Sequence, residues 1–180
     1  MTVDDLFTLL AAGSGLLDSA DEAGNAVDQL RHGLQCAEVL RSQGADDELV
    51  VAGLFHDIGH LVPYGFHIDD HETVGADLVR PLLGDRVAEL IALHVPAKRY
   101  LAATEEYDLS AGSAVSLEVQ GGAMSPDEAA AFAALPHAAG AIALRRADEM
   151  AKDPTATTKP LDSWRALVGT VAQHDRAPRT

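Results

Sequence analysis

The sequence contains 180 residues, of which 13 are basic and 28 are acidic, so its formal net charge is −15. A surface this acidic repels nucleic-acid backbones and anionic lipids, which excludes both as general partners and confines any anionic substrate to sites beside local cations or metals. The single cysteine, Cys36, excludes an internal disulfide, and no apolar run approaches the ~18 residues that cross a bilayer.

These limits predict a soluble, unprocessed and cytoplasmic protein and leave its oligomeric state open. In chain order, apolar residues first favour a short helix over 2–12, and the small, polar stretch 16–24 has no clear pattern. Apolar residues then recur at helical spacing over 26–43, which predicts an amphipathic helix that carries His32.

The next predicted helix ends in an adjacent histidine and aspartate. It begins at a capping aspartate at 46 or 47, and its apolar run 49–55 is followed directly by His56 and Asp57. Burying an imidazole and a carboxylate is costly unless a partner satisfies both groups. A metal ion is the simplest partner, because neutral imidazole and carboxylate are both good ligands.

The rest of the chain predicts further helices and no sheet. His71 falls in a first turn, His94 falls near a helix end where Pro96 bends or terminates the helix, and Asp148 lies near another helix end. Residues 105–123 are predicted to be irregular. The predicted helices cover 70–83, 86–94, 97–104, 125–135, 137–152 and 161–173. Since no alternating apolar run is long enough for a sheet, the sequence predicts an all-α protein.

Six candidate metal ligands therefore lie on five predicted helices. They are His32, His56, Asp57, His71, His94 and Asp148. Helices that pack about one centre can direct such side chains inward. This set could hold two divalent metals, with Asp57 as the bridge because each of its oxygens can bind one metal. Nitrogen and oxygen donors without cysteine favour iron, manganese or cobalt over structural zinc.

The order of these residues resembles that of a known family. With the run Leu-Phe-His-Asp-Ile-Gly-His at 54–60, the pattern over 29–152 is similar to the HD-domain superfamily of metal-dependent phosphohydrolases. His71 and His94 match its dinuclear subset. The resemblance implies an HD-domain helical bundle around a dinuclear metal site. The implied divisions are a single domain over 1–180, a core at about 26–152 and a C-terminal extension at 155–180.

Two segments resemble a narrower group within that superfamily. The runs 94–101 (His-Val-Pro-Ala-Lys-Arg-Tyr-Leu) and 116–125 (Ser-Leu-Glu-Val-Gln-Gly-Gly-Ala-Met-Ser) look like those of HD-domain oxygenases of organophosphonate degradation. In those enzymes a mixed-valent Fe(II)/Fe(III) centre activates O2, and the carbon–phosphorus bond is cleaved. The resemblance implies that the six candidate ligands hold two iron ions, and that Lys98, Ser116 and Gln120 hold the phosphonate of a small anionic substrate.

The implied substrate contacts are chemically suitable. A phosphonate needs charge compensation and several hydrogen-bond donors, which a lysine, a hydroxyl and an amide supply. Lys98 follows His94 by about one helical turn, so it would place a cation beside the metals. We expect Asp57, His60 and Lys98 to take part in catalysis, His60 by supporting a ligand or by reaching an active-site anion.

The segment before the first histidine departs from the oxygenase pattern. Those oxygenases carry a tyrosine that guards the iron and a glutamate that binds the substrate's amino group. This chain has no tyrosine before Tyr64 and offers Glu22 and Asn25 instead. Asn25 is therefore a candidate substrate contact, and we expect either a substrate without the usual amine or a different reaction.

Two other functions would use the same residues. A phosphohydrolase would use manganese, cobalt or another divalent metal to activate a bridging water and polarise a phosphoester or nucleotide, with no redox change. A ligand sensor would keep the metal site and bind phosphonate without turnover. Oxygen uptake with phosphate release separates the oxygenase from both.

Overall fold

The computed structural model describes residues 1–20, 26–62 and 70–174, and these residues form helices and one small hairpin. The elements in chain order are α1 (Val3–Ala11), β1 (Leu17–Ala20), β2 (Ala26–Asp28), α2 (Gln29–Ser42), α3 (Asp47–Phe55), a 3-10 turn (Ile58–Leu61), α4 (His71–Ala92), α5 (His94–Thr104), α6 (Ala111–Val119), α7 (Pro126–Ala133), α8 (Ala138–Met150), a second 3-10 turn (Leu161–Trp164) and α9 (Arg165–His174). Since β1 and β2 form only a two-stranded antiparallel pair, the predicted all-α fold is confirmed.

Helix α3 lies at the centre of the fold. Residues 49–55 are all buried, because α2, α4, α8 and α9 pack around this helix. Asp46 caps its N-terminus by accepting a hydrogen bond from the amide of Leu49 at 3.0 Å. A helix that is apolar on every side has to be enclosed. The His56 and Asp57 that follow it are therefore delivered to the interior of the protein.

One hydrophobic cluster joins the first and last helices to this centre. Leu6 and Phe7 of α1 share it with α3 and α4, and so do Trp164 and Val168 near the C-terminus. The segment after residue 155 thus packs on the same core, while its assignment as an extension stays a prediction. In the part of the chain that the structure describes, no helix is both long and apolar enough to span a membrane.

Three local predictions were wrong. Helix α2 begins at Gln29 rather than at 26, because the preceding three residues pair with β1 and the side chain of Asp28 caps the helix. The helix break expected at Pro96 falls at Leu93, and Pro96 lies in the first turn of α5, where its missing N–H costs no hydrogen bond. Residues 105–123 are not irregular throughout, since they contain α6.

Two close approaches between helices bring the site together. A Cβ atom at Gly59 would lie 2.0 Å from the backbone oxygen of His71, so only glycine lets the turn after Asp57 pass beside the start of α4. A Cβ atom at Gly33 would lie 2.6 Å from the backbone oxygen of Leu54. This second approach allows α2 and α3 to pack closely, with their histidines side by side.

Candidate metal centre and substrate cavity

The six predicted ligands converge at the ends of five helices. His32 lies in the first turn of α2, His56 and Asp57 follow α3, His71 and His94 begin α4 and α5, and Asp148 lies in the last turn of α8. The four imidazoles are nearly inaccessible to solvent, at no more than 4% exposure. The helix ends therefore enclose a buried group of nitrogen and oxygen donors.

Asp57 lies between two pairs of histidines. Its Oδ2 lies 3.6 Å from Nε2 of His32 and 3.5 Å from Nε2 of His56. Its Oδ1 lies 3.4 Å from Nε2 of His71 and 3.5 Å from Nε2 of His94. Each carboxylate oxygen thus faces one pair, which is the arrangement expected of a bridging ligand.

The ring nitrogens face each other within each pair. The Nε2 atoms of His32 and His56 are 3.1 Å apart, and those of His71 and His94 are also 3.1 Å apart. Asp148 adds a second carboxylate to the first pair, with its Oδ1 3.1 Å from Nε2 of His32 and 3.8 Å from Nε2 of His56. The two halves of the centre therefore differ in carboxylate number.

Backbone carbonyls orient three of the four rings. In each of these rings Nδ1 donates to a carbonyl oxygen: His32 to Ala151 at 3.0 Å, His56 to Gly53 at 2.9 Å and His94 to Ile91 at 2.6 Å. Because a carbonyl only accepts, a neutral ring carries its proton on Nδ1 and directs the Nε2 lone pair to the centre. When both rings of a pair are neutral in this form, their two lone pairs 3.1 Å apart repel each other, and a proton or a metal cation between them removes that repulsion. The residues present therefore fit a metal ion in each half.

The protonation states agree with this arrangement. Burial acts to raise the pKa of Asp148, but the guanidinium of Arg145 and nearby imidazoles hold it well below its usual range. Burial also acts to raise the pKa of Asp57. The imidazole of His56, with those of other histidines, lowers it by more, so the pKa of Asp57 is well below its usual range. Burial lowers the pKa of His94 to about 4. Despite burial, the Asp57 carboxylate raises the pKa of His56 well above its usual value, so a metal would displace that proton.

His60 lies beside the second pair. Its ring stacks on that of His71, with 4.0 Å between the centroids and 16° between the planes. Donor atoms of Asp57, His60 and His71 lie within 4.8 Å of one another, as do those of His32, His56 and Asp57. His60 also lines the adjacent cavity. It therefore supports His71 from the side and is placed to reach a bound anion.

A cavity of about 810 Å³ opens onto the metal centre. Lys98 is 4% exposed in its wall, and its Nζ donates a hydrogen bond to Oγ of Ser116 at 2.8 Å. Gln120 lines the same cavity, and its buried Oε1 has no hydrogen-bond partner among the described residues. The three predicted phosphonate contacts thus lie on one wall, where burial and the charge of Arg145 lower the pKa of Lys98 to about 8.

Sequence reasoning missed a second group of charged residues in this cavity. Arg145 is 3% exposed and bonds the carboxylates of Asp148 and Glu149. Arg145 Nη2 and Lys152 Nζ both donate to Oγ of Ser113, at 3.1 Å and 2.8 Å. The spacing of Arg145 three residues before Asp148 is visible in the sequence. A run of charged residues on a predicted helix is nevertheless more typical of a solvated face.

The segment before α2 contributes Leu16 and Leu17 to the cavity lining. Asn25, the remaining predicted substrate contact, and Glu22 both lie outside the described residues. Gln29, at the start of α2, lines the cavity and is 8% exposed. The role of Asn25 therefore stays a prediction.

Comparison with known proteins agrees with the fold and the centre. The model of the HD domain family matches residues 30–151. A hydroxymethylphosphonate dioxygenase of Gimesia maris is 39% identical over 160 residues, covering 83% of this chain and 80% of that protein. A (1-hydroxy-2-(trimethylamino)ethyl)phosphonate dioxygenase (glycine-betaine-forming) of Leisingera caerulea is 38% identical over 139 residues, covering 72% of this chain and 71% of that protein. The chain belongs to the HD-domain family.

Proposed function

We propose that this protein is an oxygenase that uses two iron ions, in the mixed-valent Fe(II)/Fe(III) state, and O2 to cleave the carbon–phosphorus bond of a small hydroxyphosphonate. The observation that carries the proposal is the pair of facing histidine sets on either side of Asp57, beside a cavity with a buried lysine. The relatives of G. maris and L. caerulea are named as phosphonate dioxygenases, which supports this reaction and substrate class for the present chain.

Each half of the centre would hold one metal. His32, His56 and Asp148 would bind one ion, His71 and His94 would bind the other, and Asp57 would bridge them. Imidazole nitrogens with carboxylate oxygens suit iron, with manganese, cobalt or another divalent metal as the alternative. When bound, the two metals supply the redox chemistry with oxygen that no side chain of the protein can supply.

Lys98, Ser116 and Gln120 would bind the phosphonate. Lys98 bonds a neutral hydroxyl, whereas Arg145 bonds two carboxylates. The positive charge of Lys98 is therefore less compensated by its partners, and it attracts an arriving anion more strongly. A bound phosphonate would in turn favour the charged ammonium, whose pKa is lowered to about 8 by burial and by Arg145. Gln120 would add an amide donor that fixes the orientation of the phosphonate, and Ser116 would add a hydroxyl donor by releasing the backbone oxygen of Ser113.

The two remaining predicted catalytic residues would act at the junction of cavity and centre. Asp57 keeps both halves at a fixed separation through its two oxygens. His60 keeps the ring of His71 in place by stacking, and it would donate a hydrogen bond to the substrate anion from the cavity wall. Asp57 and His60 both act by holding other groups in position, so their roles depend on the packing of the helix ends that carry them.

Anaerobic iron loading tests the proposal. We expect two iron ions per chain, a mixed-valent signal in electron paramagnetic resonance after partial oxidation, and uptake of O2 with release of phosphate from hydroxymethylphosphonate. A protein that holds two irons but never forms a mixed-valent state would contradict the proposal. Hydrolysis of phosphomonoesters or nucleotides with manganese or cobalt, in the absence of oxygen, would instead assign the centre to hydrolysis.

A further inference from the structure

The mouth of the cavity carries a cluster of exposed apolar side chains, which we call the apolar rim. It consists of Leu16, Leu17, Val115 and Val119, which are 53%, 64%, 66% and 56% exposed, and all four line the cavity. The other large apolar side chains that are exposed in the described part of the chain, Met1, Leu135 and Met150, do not line it. Exposed apolar groups gathered at one cavity mouth indicate a surface that a ligand covers.

The apolar rim adjoins the phosphonate contacts on the same helix. Val115 and Val119 are one turn apart on α6, and Ser116 and Gln120 stand beside them in the sequence. Because Ser116 Oγ accepts a hydrogen bond from Lys98, the rim begins within one helical turn of the predicted phosphonate position. A substituent on the carbon that bears the phosphonate would therefore reach the rim.

The charges of the described lining residues are unfavourable for a cationic substituent. Its described lining contains only two carboxylates, and both face the centre: Asp57 lies among the histidines, and Asp148 bonds Arg145. Lys98, Arg145 and Lys152 also line the cavity. An ammonium group would thus meet three cations, of which only Arg145 is paired with two carboxylates, and no uncommitted carboxylate among the described lining residues. A hydrocarbon group would instead remove the rim from water.

We propose that the preferred substrate carries an uncharged hydrocarbon substituent on its hydroxyl-bearing carbon, and that the apolar rim selects it. The inference rests on the proposed function and specifies its substrate class. It separates this chain from the relative of L. caerulea, whose name specifies a trimethylamino group. The polar inner wall would hold the phosphonate and the rim would hold the substituent.

A matched pair of compounds isolates the charge of the substituent. (1-Hydroxy-3,3-dimethylbutyl)phosphonate and (1-hydroxy-2-(trimethylamino)ethyl)phosphonate have the same shape and differ in one atom, carbon against positively charged nitrogen. With iron-loaded enzyme, we expect kcat/KM to favour the neutral compound by at least about tenfold, the discrimination typical of an apolar pocket. Equal or higher kcat/KM for the cationic compound would overturn the inference.

Two further measurements keep this inference separate from the proposed function. Hydroxymethylphosphonate carries no substituent, so failure of this compound and of both test compounds to consume oxygen would refute the proposed reaction alone. Anaerobic calorimetry of the matched pair with iron-loaded enzyme still measures the preference by binding. Tighter binding of the neutral compound supports the inference, and equal or tighter binding of the cationic one overturns it.

A carboxylate placed in the rim should change the preference. Val119→Asp should lower the neutral-to-cationic ratio of kcat/KM by about tenfold, because it puts an opposite charge beside the substituent. Leu135→Asp is the control, since it introduces the same charge at an exposed residue outside the cavity, and it should leave the ratio unchanged. A dimer that dissociates in Val119→Asp, with no change in the ratio, would show that the rim binds a second chain and would overturn the inference.

Discussion

The metal centre and the outer wall of the cavity are held in place by different interactions. The ligands lie at the ends of helices packed in the core, and three imidazoles are anchored to backbone carbonyls. Helix α6, which forms the outer wall, has one buried residue, Ser113, and is fixed mainly by hydroxyls bonded to charged side chains. Backbone anchors keep the ligand geometry constant. Residues on the surface of α6 can therefore be replaced to suit a different substrate without a change in the geometry of the candidate metal ligands.

The largest expected effect comes from breaking the metal centre itself. Asp57→Asn keeps the size of the side chain but removes the charge and one of the two oxygens that face the histidine pairs. We expect loss of at least one metal per chain and a fall in kcat/KM of more than about 100-fold, beyond the range for residues that only support ligands. Metal analysis and phosphate release measure both effects.

A matched control is Asp127→Asn, which makes the same change at an exposed residue of α7. This control should retain both metals and full activity. If Asp57→Asn retained them too, Asp57 would not be the bridge.

The next effect should separate the predicted phosphonate contacts from the centre. Lys98→Met removes the buried ammonium but keeps most of its apolar volume. Loss of a charge-assisted hydrogen bond should lower kcat/KM for a phosphonate by about 10- to 100-fold, with metal content unchanged. Lys159→Met, at an exposed position, is the control and should have no effect. Equal loss of metal in Lys98→Met would mean that the two regions are not independent.

A smaller effect should distinguish the two halves of the centre. Gly59→Ala places a Cβ atom 2.0 Å from the backbone oxygen of His71, so the start of α4 has to move. We expect the free energy of unfolding to fall by about 1–3 kcal/mol and the His71 and His94 pair to lose its metal first. Urea unfolding and metal content measure these changes.

Gly169→Ala is the control for that substitution, because a Cβ atom at Gly169 meets nothing within 4 Å. This control should retain two metals. Loss of both metals together in Gly59→Ala would indicate a single cooperative centre rather than two separable halves.

The smallest effect should appear in the pH dependence of substrate binding. Burial and Arg145 lower the pKa of Lys98 to about 8, so its ammonium is charged below that pH and is lost above it. Phosphonate binding should therefore weaken as the pH rises, by up to about tenfold in kcat/KM between about pH 7 and pH 9. Lys98→Arg keeps a cation throughout this range and should abolish the decline. A decline that persists in Lys98→Arg would belong to another group.

The convergence of the six candidate metal ligands could be predicted because each one ends or begins a helix with a recognisable pattern. The apolar run 49–55 predicts burial of whatever follows it, and histidine and aspartate are costly to bury without a metal. The positions of His71 and His94 at helix ends could be predicted even from approximate helix boundaries. The sequence therefore predicted both the fold class and the residues that meet at the centre.

Helix α6 and the buried Arg145 could not be predicted in the same way. Helix α6 has no apolar face directed into the core, because Ser113 is its only buried residue, so hydrophobic periodicity does not reveal it. The burial of Arg145 depends on Ser113, which lies 32 positions earlier in the sequence and beside it in the folded chain. Such contacts arise from packing between segments far apart in the sequence.

The hydrogen bond from His32 to Ala151 joins residues that are 119 positions apart. Metal ions bound at this centre would likewise cross-link the chain from His32 to Asp148, and removing them would release large loops and their entropy. A ribosome-bound chain would also lack a complete centre until α8 had emerged. A metal would then enter late in biosynthesis, and the metal-free chain that awaits it should be the form most exposed to proteolysis.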